Sequence, residues 1–168
     1  MATSKASSSS SSPHGTRSWL SVARAYNLCD AVMSTRLAEL GLRLGDHEVL
    51  VNLAGSPGMT QKELAARCFV AKSGISMLLT QMENQGWVLR QADATDARMW
   101  RLSLTAAGRA LAARCVKVQS SVVTLMIHDA TDAELTIVAE VMDRMSARLE
   151  AQRAAAPSAP ARLARKLR

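Results

Sequence analysis

Apolar residues return every three or four positions along several stretches of this chain, and their spacing predicts six helices and two short strands. Val22, Tyr26, Cys29, Met33, Leu37 and Leu40 make one stripe of a first helix, from about Ser18 to Leu40, which Gly41 closes. A second helix over about 46–54 turns Val49, Leu50 and Leu53 inward, and the cluster Gly55-Ser56-Pro57-Gly58 ends it in a turn. Thr60 and Glu63 stand three apart ahead of an apolar run, the signature of a capping box, and open a third helix to about Cys68. In the fourth, from about Lys72 to Gln85, Ile75, Leu78, Leu79 and Met82 fall on one face.

The period then changes. Trp87 to Gln91 and Met99 to Leu104 read as strands, and in the second Trp100, Leu102 and Leu104 alternate with Arg101 and Ser103. The polar connection from Ala92 to Arg98 has the size of a hairpin loop. Helical spacing resumes from Thr105 to about His128. A second capping box, Thr131 with Glu134, opens the last helix, where Leu135, Val138, Met142, Met145 and Leu149 step by three and four. Two heptads are too short for a free coiled coil but suit packing on a partner helix, so these five residues are candidate dimer contacts.

The fold class is therefore mainly α with a small β-hairpin. Aromatics are only 3% of the chain, leaving alanine, leucine, valine and methionine to fill the core, which also favours helices. No apolar run reaches the ~20 residues of a membrane span, and the N-terminus carries a serine tract rather than the apolar core of a secretory signal. Cys29, Cys68 and Cys115 are odd in number and far apart, which points to small apolar residues in a reducing cytoplasm rather than to disulfides or a metal clamp.

The +7 net charge is unevenly spread. Residues 60–117 hold nine bases and four acids; residues 118–152 hold two bases and six acids. Residues 153–168 add five bases and no acid. A basic middle between neutral or acidic flanks suits contact with a polyanion through one lobe, or equally a solvated surface with no partner. The expected layout is a disordered Ser-rich segment at 1–17, a helical dimerisation region at 18–44 and 105–153, a DNA-binding domain at 45–104, and a flexible basic tail at 154–168.

Helix, short helix, turn, helix and hairpin, in that order, are a winged helix-turn-helix, whose second helix fits the major groove of duplex DNA and whose wing reaches the minor groove. The face of the fourth helix away from its apolar stripe offers Ser73, Ser76, Met77, Thr80 and Gln81 as base readers, with Gln81 suited to adenine and Met77 to a thymine methyl. Lys72 is a candidate phosphate contact. Arg98 is the candidate wing-tip residue, with Asp96 to orient it; the alternative is a solvated turn arginine.

These stretches resemble the multiple-antibiotic-resistance regulator (MarR) family. The likeness covers about residues 40–112: Leu40-Gly41-Leu42, Met59-Thr60-Gln61-Lys62-Glu63-Leu64-Ala65, Lys72-Ser73-Gly74-Ile75-Ser76, Met82-Glu83-Asn84-Gln85-Gly86-Trp87-Val88, Asp96-Ala97-Arg98 and Leu104-Thr105-Ala106-Ala107-Gly108-Arg109. The resemblance implies a homodimer joined by the first, fifth and sixth helices, a palindromic operator in double-stranded DNA, a wing arginine in the minor groove, and a small anionic or phenolic effector between the two lobes. Two features depart from the family: Ala71 stands where an acidic N-cap is frequent, and the wing run Gln91-Ala92-Asp93-Ala94 is not basic.

Trp19, Tyr26 and His47 are candidates to line an effector pocket, with dimer-core packing as the alternative for the two aromatics. Cys29 raises the possibility of a thiol-based sensor, against which stands its place on the apolar stripe. No metal-spaced ligands, nucleophile–base pair or glycine-rich phosphate loop suggests an enzyme or a cofactor. The runner-up of another class is a winged-helix module that binds protein; a polar fourth-helix face argues for DNA instead.

Overall fold

A computed structural model describes residues 13–68, 72–93, 96 and 99–155. The chain divides into two units, one ending at Met126 and one starting at Ile127.

In the first unit, α1 (Pro13–Ala38) begins five residues ahead of the expected Ser18. Proline suits a first helical turn because it has no N–H to leave unpaired and its φ is preset. Ser18 and Ser21 hydroxyls donate back to the carbonyls of His14 and Arg17, so residues 13–17, expected to lack structure, are helical. The helix ends at Ala38, and the turn that follows closes at Gly41, which takes the left-handed φ of 71° that only glycine adopts without cost. Of the predicted stripe, Met33 and Leu37 are buried, whereas Val22 and Tyr26 are exposed together with Trp19, Leu20 and Leu28.

α2 (Leu44–Gly55) starts two residues early because Asp46 caps it from inside: the Arg43 N–H donates to Asp46 Oδ2 at 2.8 Å. Val49, Leu50 and Leu53 are completely or almost completely buried, as their spacing requires. Burial of one such leucine is worth roughly 1.5–3 kcal/mol.

α3 (Gln61–Arg67) opens on the expected capping box. Glu63 N–H donates to Thr60 Oγ1, and Thr60 N–H returns a bond to Glu63 Oε2 at 2.7 Å. α4 (Lys72–Asn84) buries Ile75, Leu79 and Met82, with Leu78 half-buried against the same core. Gly86, at φ 70°, turns the chain into the sheet.

The expected hairpin of β2 (Val88–Ala92) and β3 (Trp100–Leu104) is joined by a two-residue strand, β1 (Met59–Thr60), that the sequence pattern did not signal. The order is β1-β3-β2, all antiparallel, with Met59 opposite Leu102 and Arg90 opposite Leu102 on the other side. Leu102 and Leu104 are buried, but Trp100, expected to share their face of the core, is 54% exposed, because it pairs with Ala92 at the far end of the hairpin, where no core residue covers it.

α5 (Ala106–Met126) follows directly. Thr105 holds its start: the Gly108 N–H donates to Thr105 Oγ1, while the Thr105 hydroxyl donates to Gly86 O at 2.6 Å and its N–H to Trp87 O at 3.0 Å. Ala112, Cys115 and Val122 continue the core formed with α1 and α2.

The second unit contains α6 (Asp132–Ala155), whose start is the second capping box, with Glu134 N–H donating to Thr131 Oγ1 and Thr131 N–H to Glu134 Oε2. Leu135, Met142 and Met145 are half-buried, and Val138 and Leu149 are exposed.

Candidate nucleic-acid interface

The burial of Ile75, Leu79 and Met82 fixes which face of α4 turns outward. Ser76, Met77, Thr80 and Gln81 are all exposed, Met77 to 75%, and lie at i, i+1, i+4 and i+5 on that outer face. Thr80 donates its hydroxyl to the Ser76 carbonyl at 3.1 Å, which fixes its rotamer. Lys72 and Ser73 lie in the first turn of α4, though their side chains fall outside the described part of the structure.

Gln81 is not an unengaged amide. Arg43, at the start of α2, donates from Nη2 to Gln81 Oε1 at 2.8 Å. Arg43 is itself steadied by Asp46, whose Oδ2 lies 3.6 Å from Nε. Sequence reasoning missed Arg43, because the contact joins residues 38 apart and neither position is marked by periodicity. The three residues, with Gly74 and Met77, border a surface groove of about 440 Å³ beside α4.

The wing is anchored at its base. Arg101 pairs with Asp93, donates from Nη1 to the Gly58 carbonyl at 3.2 Å, and comes within 3.9 Å of Glu63 Oε2. It thereby ties β3 to the turn before β1 and to the capping box of α3. Asp93 also accepts from the Asp96 N–H at 3.1 Å, holding the start of the connection. Arg90 pairs with Glu83 at 3.0 Å, tying β2 to α4. Asp96 is exposed; Arg98, the residue it was expected to orient, lies outside the described residues.

A second cavity, of about 340 Å³, opens between α1, α2 and α5. Tyr26 and His47 both line it; Trp19, expected with them, does not. Its walls are largely apolar, from Met33, Val51 and Val122 among others, and its charged lining consists of Asp30, Glu48 and Arg67. Burial lowers the pKa of His47 below its usual value, opposed by a 3.2 Å contact between its Nε2 and Gln119 Oε1 and by the nearby Glu48. The ring is accordingly neutral at pH 7 and offers one donor and one acceptor. Cys29 is half-buried, packed against the core, and lines the cavity. Burial, with the charge of Glu48 adding to it, pushes the Cys68 thiol up to about 11. Cys115 is raised chiefly by burial as well, so both remain protonated thiols at neutral pH.

Among the described residues, no group of His, Cys, Asp and Glu is arranged to hold a metal ion, and no helix is long and apolar enough to cross a membrane.

Residues 40–99 match the model of the MarR family. An HTH-type transcriptional repressor of Mycobacterium tuberculosis is 37% identical over 86 residues, which are 51% of this chain and 62% of that protein, so the chain covers less than two thirds of this relative's length. Among solved structures, AbsC, a MarR family transcriptional regulator from Streptomyces coelicolor, superposes with a TM-score of 0.75 at 24% identity, over 83% of this chain and 97% of AbsC. BpsR of Bordetella bronchiseptica, described together with the regulation of its DNA binding by 6-hydroxynicotinic acid, gives 0.67 at 18% identity, over 74% of this chain and 89% of BpsR. The structural likenesses show a shared winged-helix fold.

Proposed function

We propose that the chain, which matches the MarR family model over residues 40–99, is a transcriptional regulator, a repressor, which binds a palindromic operator as a homodimer and releases it in response to a small ligand. The observation that carries this reading is the outer face of α4. Its inner residues are locked in the core, and what remains outside is a row of short polar side chains and one thioether. A face of that kind enters the major groove without a desolvated charge to bury, and it matches base edges rather than an apolar partner. A protein-binding module would present an apolar outer face instead.

In this reading Lys72 contacts phosphate, Ser73, Ser76, Met77, Thr80 and Gln81 face the bases, and Arg98 enters the minor groove from the wing. The copy-to-copy contact uses Leu135, Val138, Met142, Met145 and Leu149 of α6, with the exposed apolar residues of α1 and α5. The M. tuberculosis relative is a transcriptional repressor, and DNA binding by BpsR is regulated by 6-hydroxynicotinic acid. The cavity holding Tyr26 and His47 is the proposed ligand site here. Two carboxylates against one guanidinium in its lining favour a phenolic ligand in its neutral form over an anion. Cys68 and Cys115 are buried and their thiols are raised by that burial, so the alternative of a thiol sensor is left to Cys29, half-buried on the cavity wall.

The test is selection of duplexes from a random library by the full chain, followed by affinity measurement for wild type and Ser76→Glu. The expected result is a palindromic consensus, and loss of its binding in Ser76→Glu with an unchanged thermal melt, since the new carboxylate meets the DNA and not the core. Absence of any enriched sequence sinks the proposal.

A further inference from the structure

The Arg43–Gln81 contact changes what the recognition helix can read. A glutamine amide recognises adenine by accepting from its N6 amino group through Oε1 and donating to its N7 through Nε2. Guanidinium groups only donate, so the 2.8 Å bond from Arg43 Nη2 fixes the amide oxygen as the atom turned toward Arg43 and leaves Nε2 with its two N–H groups facing away. The partner is not a passing surface contact. Arg43 sits at the N-terminus of α2, with its own N–H and Nε both close to Asp46 Oδ2, and Asp46 is 3% exposed. A buried carboxylate thus holds the backbone N–H of Arg43 and the Nε edge of its guanidinium, while Nη2 of the same group, on a side chain 68% exposed, reaches Gln81 on the outer face of α4.

From this geometry we infer that Arg43 and Gln81 act as one reading unit that specifies guanine, not adenine, with Arg43 as a specificity-determining residue contributed by α2. The inference rests on the DNA-reading role proposed above. The unit presents N–H donors from both side chains beside a positive charge. Guanine offers two acceptors on its major-groove edge, O6 and N7, and matches it. Adenine would bring its N6 donor to an amide oxygen that already accepts from Arg43 and has a single lone pair left, and thymine offers one acceptor, O4, where guanine offers two; cytosine offers only a donor.

The experiment is the same in vitro selection carried out with full-length wild type, Gln81→Ala, Arg43→Ala and Arg43→Gln, with folding of each variant checked by circular dichroism. The position read by the unit is the one whose preference disappears in Gln81→Ala while the rest of the consensus persists. Wild type is expected to favour guanine there by roughly tenfold, the scale of one good bidentate contact. In Arg43→Ala, with Oε1 released, the preference is expected to move to adenine. Arg43→Gln, which keeps a donor but removes the charge, is expected to narrow the guanine preference; this variant decides the matter if Arg43→Ala is unstable. The inference is overturned if wild type already selects adenine at the Gln81-dependent position, or if both Arg43 variants keep the wild-type preference. Either result would mean that Arg43 leaves Gln81 on binding DNA, and DNA reading itself would still stand. If no sequence is selected at all, the regulator reading fails and this inference with it.

Discussion

Gly108, in the first turn of α5, lies directly against the backbone carbonyl of Trp87, so that a methyl group at its Cα would overlap the carbonyl oxygen. The same carbonyl accepts the Thr105 N–H, and Thr105 in turn caps α5. The junction between wing and helix thus has no room for a side chain. Alanine is favoured over glycine inside a helix by about 1 kcal/mol, yet here the overlap is with backbone and no rotamer relieves it. Gly108→Ala is expected to destabilise the fold by roughly 1–3 kcal/mol, read as a lowered denaturant midpoint at unchanged m-value. A midpoint at or above that of wild type would show that α5 can shift away from Trp87 at no cost.

The Glu63 carboxylate accepts the Thr60 N–H and hydroxyl, and these two bonds, the backbone one foremost, lower its pKa. A carboxyl group with a depressed folded-state pKa adds stability that is fully present above its unfolded value of about 4.3 and is lost as pH falls through the lower folded value. Wild type is therefore expected to exceed Glu63→Gln in stability at pH 7, and the gap to close on acidification below about pH 4. Urea denaturation at a series of pH values measures it; a gap independent of pH would assign the effect to shape rather than charge.

Both capping boxes were legible because they are local: Thr60 with Glu63, and Thr131 with Glu134, each span one helical turn. The inner face of α4 was legible for the same reason, since Ile75, Leu79 and Met82 repeat within the helix. What escaped were features created by the fold. β1 is two residues long and cannot display a period. Trp100 follows the alternation of β3, but alternation does not reveal where the core stops covering the strand. Arg43 meets Gln81 across the gap between two helices, and the cavity draws Tyr26, His47 and Gln119 from three elements. The close approach of Gly108 to the Trp87 carbonyl likewise joins residues 21 apart and leaves no mark on the local pattern.

The neutral state of His47 has a measurable consequence. Burial lowers its folded-state pKa, so the unfolded chain binds a proton more readily over the interval below the usual value of about 6.5. Its contribution to stability is complete above that value and declines as pH falls through the interval. Wild type is expected to lose stability as pH falls below about 6.5 by more than His47→Gln does, which denaturant titration at each pH resolves. NMR titration of the ring should place its pKa below 6.5. A ring that titrates above 6.5 would mean that Glu48 and Gln119 outweigh burial.

Arg98 carries the minor-groove half of the proposed reading. The hairpin base is anchored by Arg101 through Asp93 and the Gly58 carbonyl, and Arg98→Ala is expected to leave the fold intact, checked by its thermal melt. The expected outcome is a sharp drop in operator affinity, tenfold or more, with the oligomeric state unchanged by analytical ultracentrifugation. The same affinity as wild type would remove the wing tip from the interface. Equal losses on specific and random duplexes would make Arg98 a phosphate contact rather than a groove reader.

The residues after Ala155 include Arg162, Arg165, Lys166 and Arg168 and no acid, whereas the wing run Gln91-Ala92-Asp93-Ala94 has no base at all. Affinity for DNA depends on how many phosphates are neutralised, and a wing that supplies few cations leaves that work to other segments. If the C-terminal bases neutralise phosphates, each releases counterions and steepens the fall of affinity with salt by about 0.9 in the logarithmic slope. A chain ending at Ala155 keeps the whole of α6, and with it the proposed dimer contacts. It is expected to bind the operator more weakly at low salt and to show a slope shallower by up to about 3–4 per chain, with its base preferences unchanged. The loss should vanish near 0.5 M salt, where little electrostatic binding remains. A truncated chain with the wild-type slope would show that these cations stay in solvent, and that α4 and the wing alone hold the DNA.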